Sequence, residues 1–329
     1  MDDRSAAQRP VAVTGAGGFV GRRLIQDLRA QRRPVRGVVR SSQDASAVRD
    51  AGCEVAVADV RDPTSLRRAF AGTQAVVHLV AIIRERGAET FDAVNHGGAV
   101  GAATAAREAG VDRFVYLSAL GAAPAATRYL QSKWRGEEAV RAAGVPFVIF
   151  RPSLLIGPGG GAAAQFADVV RFGPWYPLVL LLGLRRIFAG FAAVTPIVPV
   201  LGSGGYRSMP VALDDVLRAV VAAIDRPDLA GQTFEIGGPQ VLTYNEIMET
   251  TARVLGLRRR RLHLSLWAAR TIVRLFALLP SPPITEDERQ ALFEDNLCDN
   301  TEVLHAFDLR LQPFETALRE ALRSPQAKE

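Results

Sequence analysis

The chain has 329 residues, room for one large α/β domain and a smaller one, and its 48% apolar content excludes wholesale disorder. Two cysteines, Cys53 and Cys298, and four histidines exclude a disulfide framework and argue against a structural zinc, so no metal is expected. A net charge of +6 suits an anionic cofactor or anionic lipid, and the absence of basic clusters interleaved with aromatics speaks against nucleic acid.

Residues 1–9 are polar, carry no signal-peptide core and are expected to be disordered, which makes the cytoplasm the default location. Strand-like runs follow at Pro10–Thr14, Pro34–Arg40, Glu54–Ala58, Ala75–Val80, Arg113–Ser118 and Pro146–Arg151. Helix-like patterns separate them at Phe19–Gln31, Thr64–Ala71, Thr90–Ala109 and Ala126–Ala143. Short apolar strands alternating with helices predict a doubly wound parallel sheet of the Rossmann type, spanning residues 10–165 and completed by elements within 208–240. A smaller, mainly helical domain over 166–323, to hold substrate, and a tail over 324–329 complete the expected organisation.

In that second part, Phe172 to Tyr206 carries only Arg185 and Arg186 as charges, but its four prolines leave no clean membrane span. It is expected to cover a substrate pocket, to touch a membrane surface or to form an oligomer interface. Asp214 and Asp215 open a helix, Thr233–Ile236 reads as a strand, and Thr243 with Glu246 forms a capping box. Leu262 to Leu279 reads as an apolar helix with a narrow polar stripe of His263, Arg270 and Arg274. Such a helix is either buried between domains or lies in a membrane interface; Arg258 to Arg261 precede it, so 258–279 and 172–206 are the two candidate contacts with a membrane or a respiratory complex.

Chemistry is concentrated earlier. Gly15, Gly18 and Gly21 stand between a strand and a helix, the context a dinucleotide fingerprint needs. Gly15 permits a sharp turn, Gly18 lets backbone approach a pyrophosphate, and Gly21 lets the helix pack against the strand. Arg40, nineteen residues after Gly21 and followed by Ser41, ends the second strand. An acid there binds a ribose 2′-hydroxyl and an arginine accommodates a 2′-phosphate, so NADP(H) is expected over NAD(H). Asp59-Val60 ends the third strand, where the carboxylate could meet an adenine amino group or cap a helix. Tyr129 and Lys133 are four apart on one helical face, where an ammonium lowers a phenol's pKa, and Ser118 could hold a substrate carbonyl.

These features resemble an extended short-chain dehydrogenase/reductase, in Thr14–Gly21, Ala58-Asp59-Val60, Val77–Ala81, Leu117-Ser118-Ala119, Tyr129/Lys133 and Arg151-Pro152-Ser153. Within that superfamily the chain is similar to the branch holding the NADPH-binding accessory subunit of mitochondrial complex I, through Ser118–Ala122, Arg128-Tyr129-Leu130 with Lys133, and the tail from Pro283-Ile284-Thr285 to Glu294-Asp295-Asn296. The resemblance implies that Gly15, Gly18, Phe19, Val20 and Gly21 line the pyrophosphate, with Arg40 and Ser41 at the adenosine end. It implies Asp59 and Val60 at the adenine, Leu79, Ala81 and Pro152 beside the cofactor, and Lys133 on the nicotinamide ribose. The implied activity is an oxidoreductase acting on a carbonyl or quinone-like substrate, with Tyr129 as proton donor. Two alternatives stand beside it. One is a non-catalytic accessory or assembly subunit peripheral on the inner face of a membrane. The other is a nucleotide-sugar epimerase or dehydratase, disfavoured by Arg40 and by the eleven-residue step from Ser118 to Tyr129.

Overall fold

The computed structural model describes residues 9–182, 184–265, 267 and 294–323. The expected disorder of 1–8, the tail 324–329, and residues 266 and 268–279 of the expected apolar helix lie outside these. In chain order the first elements are β1 (Val11–Thr14), α1 (Phe19–Ala30), β2 (Val35–Val39), α2 (Ala45–Asp50), β3 (Glu54–Val57), α3 (Pro63–Phe70) and β4 (Ala75–His78). They continue with α4 (Gly97–Glu108), β5 (Arg113–Leu117), α5 (Arg128–Ala142) and β6 (Phe147–Pro152). After β7 (Leu155–Gly157) come α6 (Gly161–Phe172), α7 (Tyr176–Leu182), α8 (Arg185–Val194), β8 (Ile197–Leu201), β9 (Arg207–Ser208) and β10 (Val211–Ala212). Then follow α9 (Leu213–Ile224), β11 (Gln232–Ile236), β12 (Leu242–Thr243), α10 (Tyr244–Val254), β13 (Arg260–Leu264), α11 (Thr301–Phe307) and α12 (Phe314–Arg323).

The main sheet has seven strands in the order β11-β6-β5-β4-β1-β2-β3, every neighbour parallel. This is the doubly wound Rossmann arrangement. The order reverses between β1 and β4, and a ligand belongs outside the carboxyl ends at that reversal. β1, β4 and β5 are buried along their whole length, as strands covered on both faces must be. Leu24, Ile25 and Leu28 give α1 its inward face. In α4 a run of alanines and glycines allows a close approach, and Ala99, Ala102, Ala103 and Ala106 join Phe70, Phe114 and Ile149 in one core cluster. Local signals fix several helix starts. Asp62 accepts from the Thr64 N–H with Pro63 at the first position of α3, Thr127 accepts from the Leu130 N–H, and Thr243 with Glu246 forms a complete capping box on α10.

The chain divides into two compact units. The first comprises 1–152, 216–236 and 300–309, so the division falls at Pro152/Ser153 and not at 165, and β11 returns to the sheet while α11 belongs to the same unit. The second has its own core, in which Phe166, Val170, Ile247, Met248, Phe314 and Leu318 pack together. Among the described residues it holds three two-stranded sheets beside its helices. The expected helix from Leu262 is overturned at its start. Arg260–Leu264 form β13, a strand parallel to β8 in the register Arg260↔Ile197 through Leu264↔Leu201. An unpaired neighbour of alternating Ile-Val-Pro-Val-Leu sequence supplies the hydrogen bonds that periodicity alone could not foresee. No helix among the described residues is long and apolar enough to cross a membrane.

Candidate functional site

A groove of about 320 Å³ opens at the carboxyl ends of β1 to β4. Its lining is Thr14, Gly15, Gly17 and Gly18, Val38 to Arg40 and Asp44, Ala58 to Arg61, and Val80, Ile82, Glu89 and Val94. Gly15 sits at φ +71°, a conformation favourable only for glycine, and its carbonyl accepts from the Gly18 N–H at 2.9 Å. A Cβ on Gly21 would stand 2.2 Å from the Gly15 oxygen, so this turn closes only around a bare backbone. Gly18 caps α1 with no side-chain hydrogen bond, and the first turn holds no acid. The leading N–H groups and positive dipole end of a twelve-residue helix are thereby left to an anion. Loop and helix fit a dinucleotide pyrophosphate.

Of the residues expected at the cofactor, Gly15, Gly18, Arg40, Asp59 and Val60 line this groove, whereas Phe19, Val20, Gly21, Ser41, Leu79, Ala81, Lys133 and Pro152 are outside its lining. Ser41 donates to Asp44, itself a lining residue, at 2.8 Å. Leu79 donates its N–H to Thr14 Oγ1 at 3.2 Å, tying β4 to β1. Pro152 accepts from the Leu120 N–H. Arg40 is exposed and pairs across the groove with Glu89, from the loop after β4. Asp59 does not cap a helix. It accepts from the Arg61 guanidinium at 2.9 and 2.5 Å and from the Arg61 N–H, bonds that hold its carboxyl below the usual carboxylate range. Two guanidiniums, Arg40 and Arg61, therefore line the groove. Arg61 was legible only as the second residue past Asp59.

A second cluster lies between β5 and α5. Ser118 is buried and donates to Glu137 Oε1 at 2.5 Å. Glu137, fully buried, also accepts from Arg151 at 2.9 and 2.7 Å and from Arg141 at 3.0 Å. Flanked by guanidinium donors, this carboxylate can only accept, so the Ser118 proton is committed inward and its oxygen remains as an acceptor. Lys133 Nζ donates to the Leu117 carbonyl at 2.8 Å and stands 4.4 Å from the centre of the Tyr116 ring. Burial lowers its pKa to about 7, with Glu137 opposing the shift. Tyr129 meets Phe91 edge-on at 6.0 Å, and burial pushes its phenol up to about 12. The expected lowering of that phenol by Lys133 is thus not what the structure shows, because the ammonium is turned toward Leu117 and Tyr116.

Asn95 joins the two clusters. It lies in a wide helical turn over Phe91–His96 just before α4, a distortion frequent at functional sites. Its carboxamide accepts from the Ile82 N–H at 2.8 Å, and donates to the Ile82 carbonyl and to Ser132 Oγ, each at 3.0 Å. Groove wall and α5 are so held in register by one buried side chain. The sequence carried a signal for Glu137, four residues after Lys133 on the same helical face. For Asn95 and Glu89 it carried none, since both act across loops.

A family model described as NAD(P)H-binding matches residues 15–168. A ceramide reductase of Caulobacter vibrioides is 33% identical over 78% of this chain and 74% of its own length. Subunit 9 of the mitochondrial NADH dehydrogenase (ubiquinone) 1 alpha subcomplex from Arabidopsis thaliana is 31% identical over 95% of this chain and 76% of its own. The structure of Citrobacter sp. triphenylmethane reductase complexed with NADP(H) superposes with a TM-score of 0.69 at 20% identity, covering 95% of this chain and all of that one, and shows the shared fold.

Proposed function

Because the chain belongs to the NAD(P)-binding short-chain dehydrogenase/reductase and epimerase/dehydratase superfamily, we propose that it is an NADP(H)-dependent reductase of a carbonyl or quinone-like substrate. The observation that carries this reading is one groove with a bare glycine turn at one end and Arg40 and Arg61 at the other. The guanidiniums offer forked donors to a 2′-phosphate. Asp59 and Val60 flank the adenine, and the α1 N-terminus, with Phe19 and Val20, takes the pyrophosphate. A bound reduced nicotinamide supplies hydride. Tyr129 then gives its proton to the developing alkoxide, and a phenol near 12 keeps that proton until a stronger base forms. Lys133, anchored on the Leu117 carbonyl, keeps two N–H donors for a ribose hydroxyl. Similarity to a ceramide reductase supports turnover.

The second reading, an NADPH-binding accessory subunit without turnover in a respiratory or quinone-linked setting, is favoured by 31% identity to the complex I subunit over nearly the whole chain. A Lys133 that leaves the Tyr129 phenol near 12 favours it too. NADPH oxidation against a panel of aldehydes, ketones and quinones separates the two, with Tyr129→Phe as control. The reductase reading expects turnover that falls at least a hundredfold in the variant, with NADPH affinity within about twofold. Full activity in Tyr129→Phe refutes the proton donor. Tight NADPH binding without turnover on any class favours the accessory reading.

A further inference from the structure

In the second unit, α7 and α8 present apolar side chains to solvent. Leu180, Leu182, Leu184, Ile187 and Phe191 are each about half exposed, and Val194 is 77% exposed. On α8 the residues Ile187, Phe191 and Val194 stand at i, i+4 and i+7 and share one face, while Phe188 and Ala192 are buried on the other. An ordinary surface helix keeps that outer face polar.

The charge around this face has one sign. Between Asp168 and Asp214 the sequence has no acidic residue, and Asp168 is engaged by Arg185 at 2.7 Å. Arg186, in the first turn of α8, is exposed and forms no ion pair among the described residues. A cation at a helix N-terminus opposes the macrodipole, so it is there for something other than the helix. Arg259 donates to the Ala192 carbonyl at 2.7 Å and the Arg171 carbonyl at 2.8 Å, closing the carboxyl ends of α8 and α6. Its chain neighbours Arg258 and Arg260 are both exposed and without an ion pair among the described residues.

We propose that the outer face of α7 and α8, bordered by Arg186, Arg258 and Arg260, seats the protein on an anionic lipid bilayer surface. Aliphatic and phenyl groups enter the acyl boundary while guanidiniums meet headgroup phosphates. A second copy of this chain fits less well, because a two-fold contact would bring the two cationic borders together. Of the other two arginines in that run, Arg259 is committed to helix ends and Arg261 reaches Glu249.

The test is flotation of the full chain with phosphatidylcholine vesicles with and without phosphatidylglycerol, at low and high salt. Wild-type protein should float with the anionic vesicles at low salt and be released by salt. Replacing Arg186, Arg258 and Arg260 together by glutamine should weaken partitioning on the order of a hundredfold, about fivefold per charge. Ile187→Asp with Phe191→Asp should abolish it. Because these side chains are exposed, folding is checked by NADPH titration of the same samples, which also reports the cofactor reading separately. Wild-type protein left unbound overturns the proposal, as do variants that float like wild type. So does a dimer dispersed by the Asp variant in a protein that binds no lipid.

Discussion

Replacing Glu137 by glutamine tests whether the cluster behind the site is organised by one buried charge. Oε1 accepts from Ser118 and from Arg151 Nε, and Oε2 accepts from the terminal nitrogens of Arg151 and Arg141. Glutamine keeps the shape but must turn an NH2 toward at least one guanidinium donor. Breaking a buried pair costs about 3–5 kcal/mol. Arg151 retains Glu235 at 3.4 Å and Arg141 retains Glu138 at 2.6 Å, which places the expected loss near the lower end, about 3 kcal/mol. For a unit of 150–250 residues each kcal/mol moves the midpoint by about 2–4 °C, so a fall of roughly 6–12 °C is expected by calorimetry. The groove residues are untouched, so NADPH affinity should change less than about twofold, a deliberately small margin. Any turnover should drop, because an amide facing Ser118 reverses its hydrogen bond and turns the hydroxyl proton outward. A variant within about 1 kcal/mol of wild type would show that the carboxylate is not the organising charge.

Arg40→Ala should weaken NADPH about ten- to thirtyfold and NADH hardly at all, a charge-assisted contact discounted for the exposure of Arg40, while Glu89→Gln, which frees Arg40, should tighten NADPH a few-fold. Fluorescence titration of both cofactors decides it, and equal losses would remove the 2′-phosphate role. His78 is buried between the Phe114 and Tyr116 rings with Nδ1 on Thr14 Oγ1 at 2.9 Å, and burial first, Lys133 second, lower its pKa to about 3. In the unfolded chain it binds a proton below about 6.5 that the native state refuses until about 3, so its stabilising contribution is complete above that range and is lost as pH falls through it. His78→Asn should flatten the decline in unfolding free energy between pH 6.5 and 3 relative to wild type. An unchanged slope would refute the assignment.

What the sequence settled alone is whatever depends on near neighbours. Val11–Thr14 running into Gly15, Gly18 and Gly21 and then α1 is a local statement, because backbone freedom, strand propensity and helix polarity act within about ten residues. The same holds for the Asp62 and Thr243 caps and for Arg40 at the end of β2. Strand–helix alternation then leaves few topologies for a parallel sheet. Tertiary structure alone decided the rest. Arg260–Leu264 reads as the start of an apolar helix until β8 offers its edge, and pairing between strands separated by some sixty residues is invisible to periodicity. Glu89 meets Arg40, and Asn95 meets Ile82 and Ser132, through loops whose course no pattern encodes. The proton of Ser118 was decided by Glu137 and two arginines from α5 and β6, since a hydroxyl rotates to suit whichever acceptor folding brings to it.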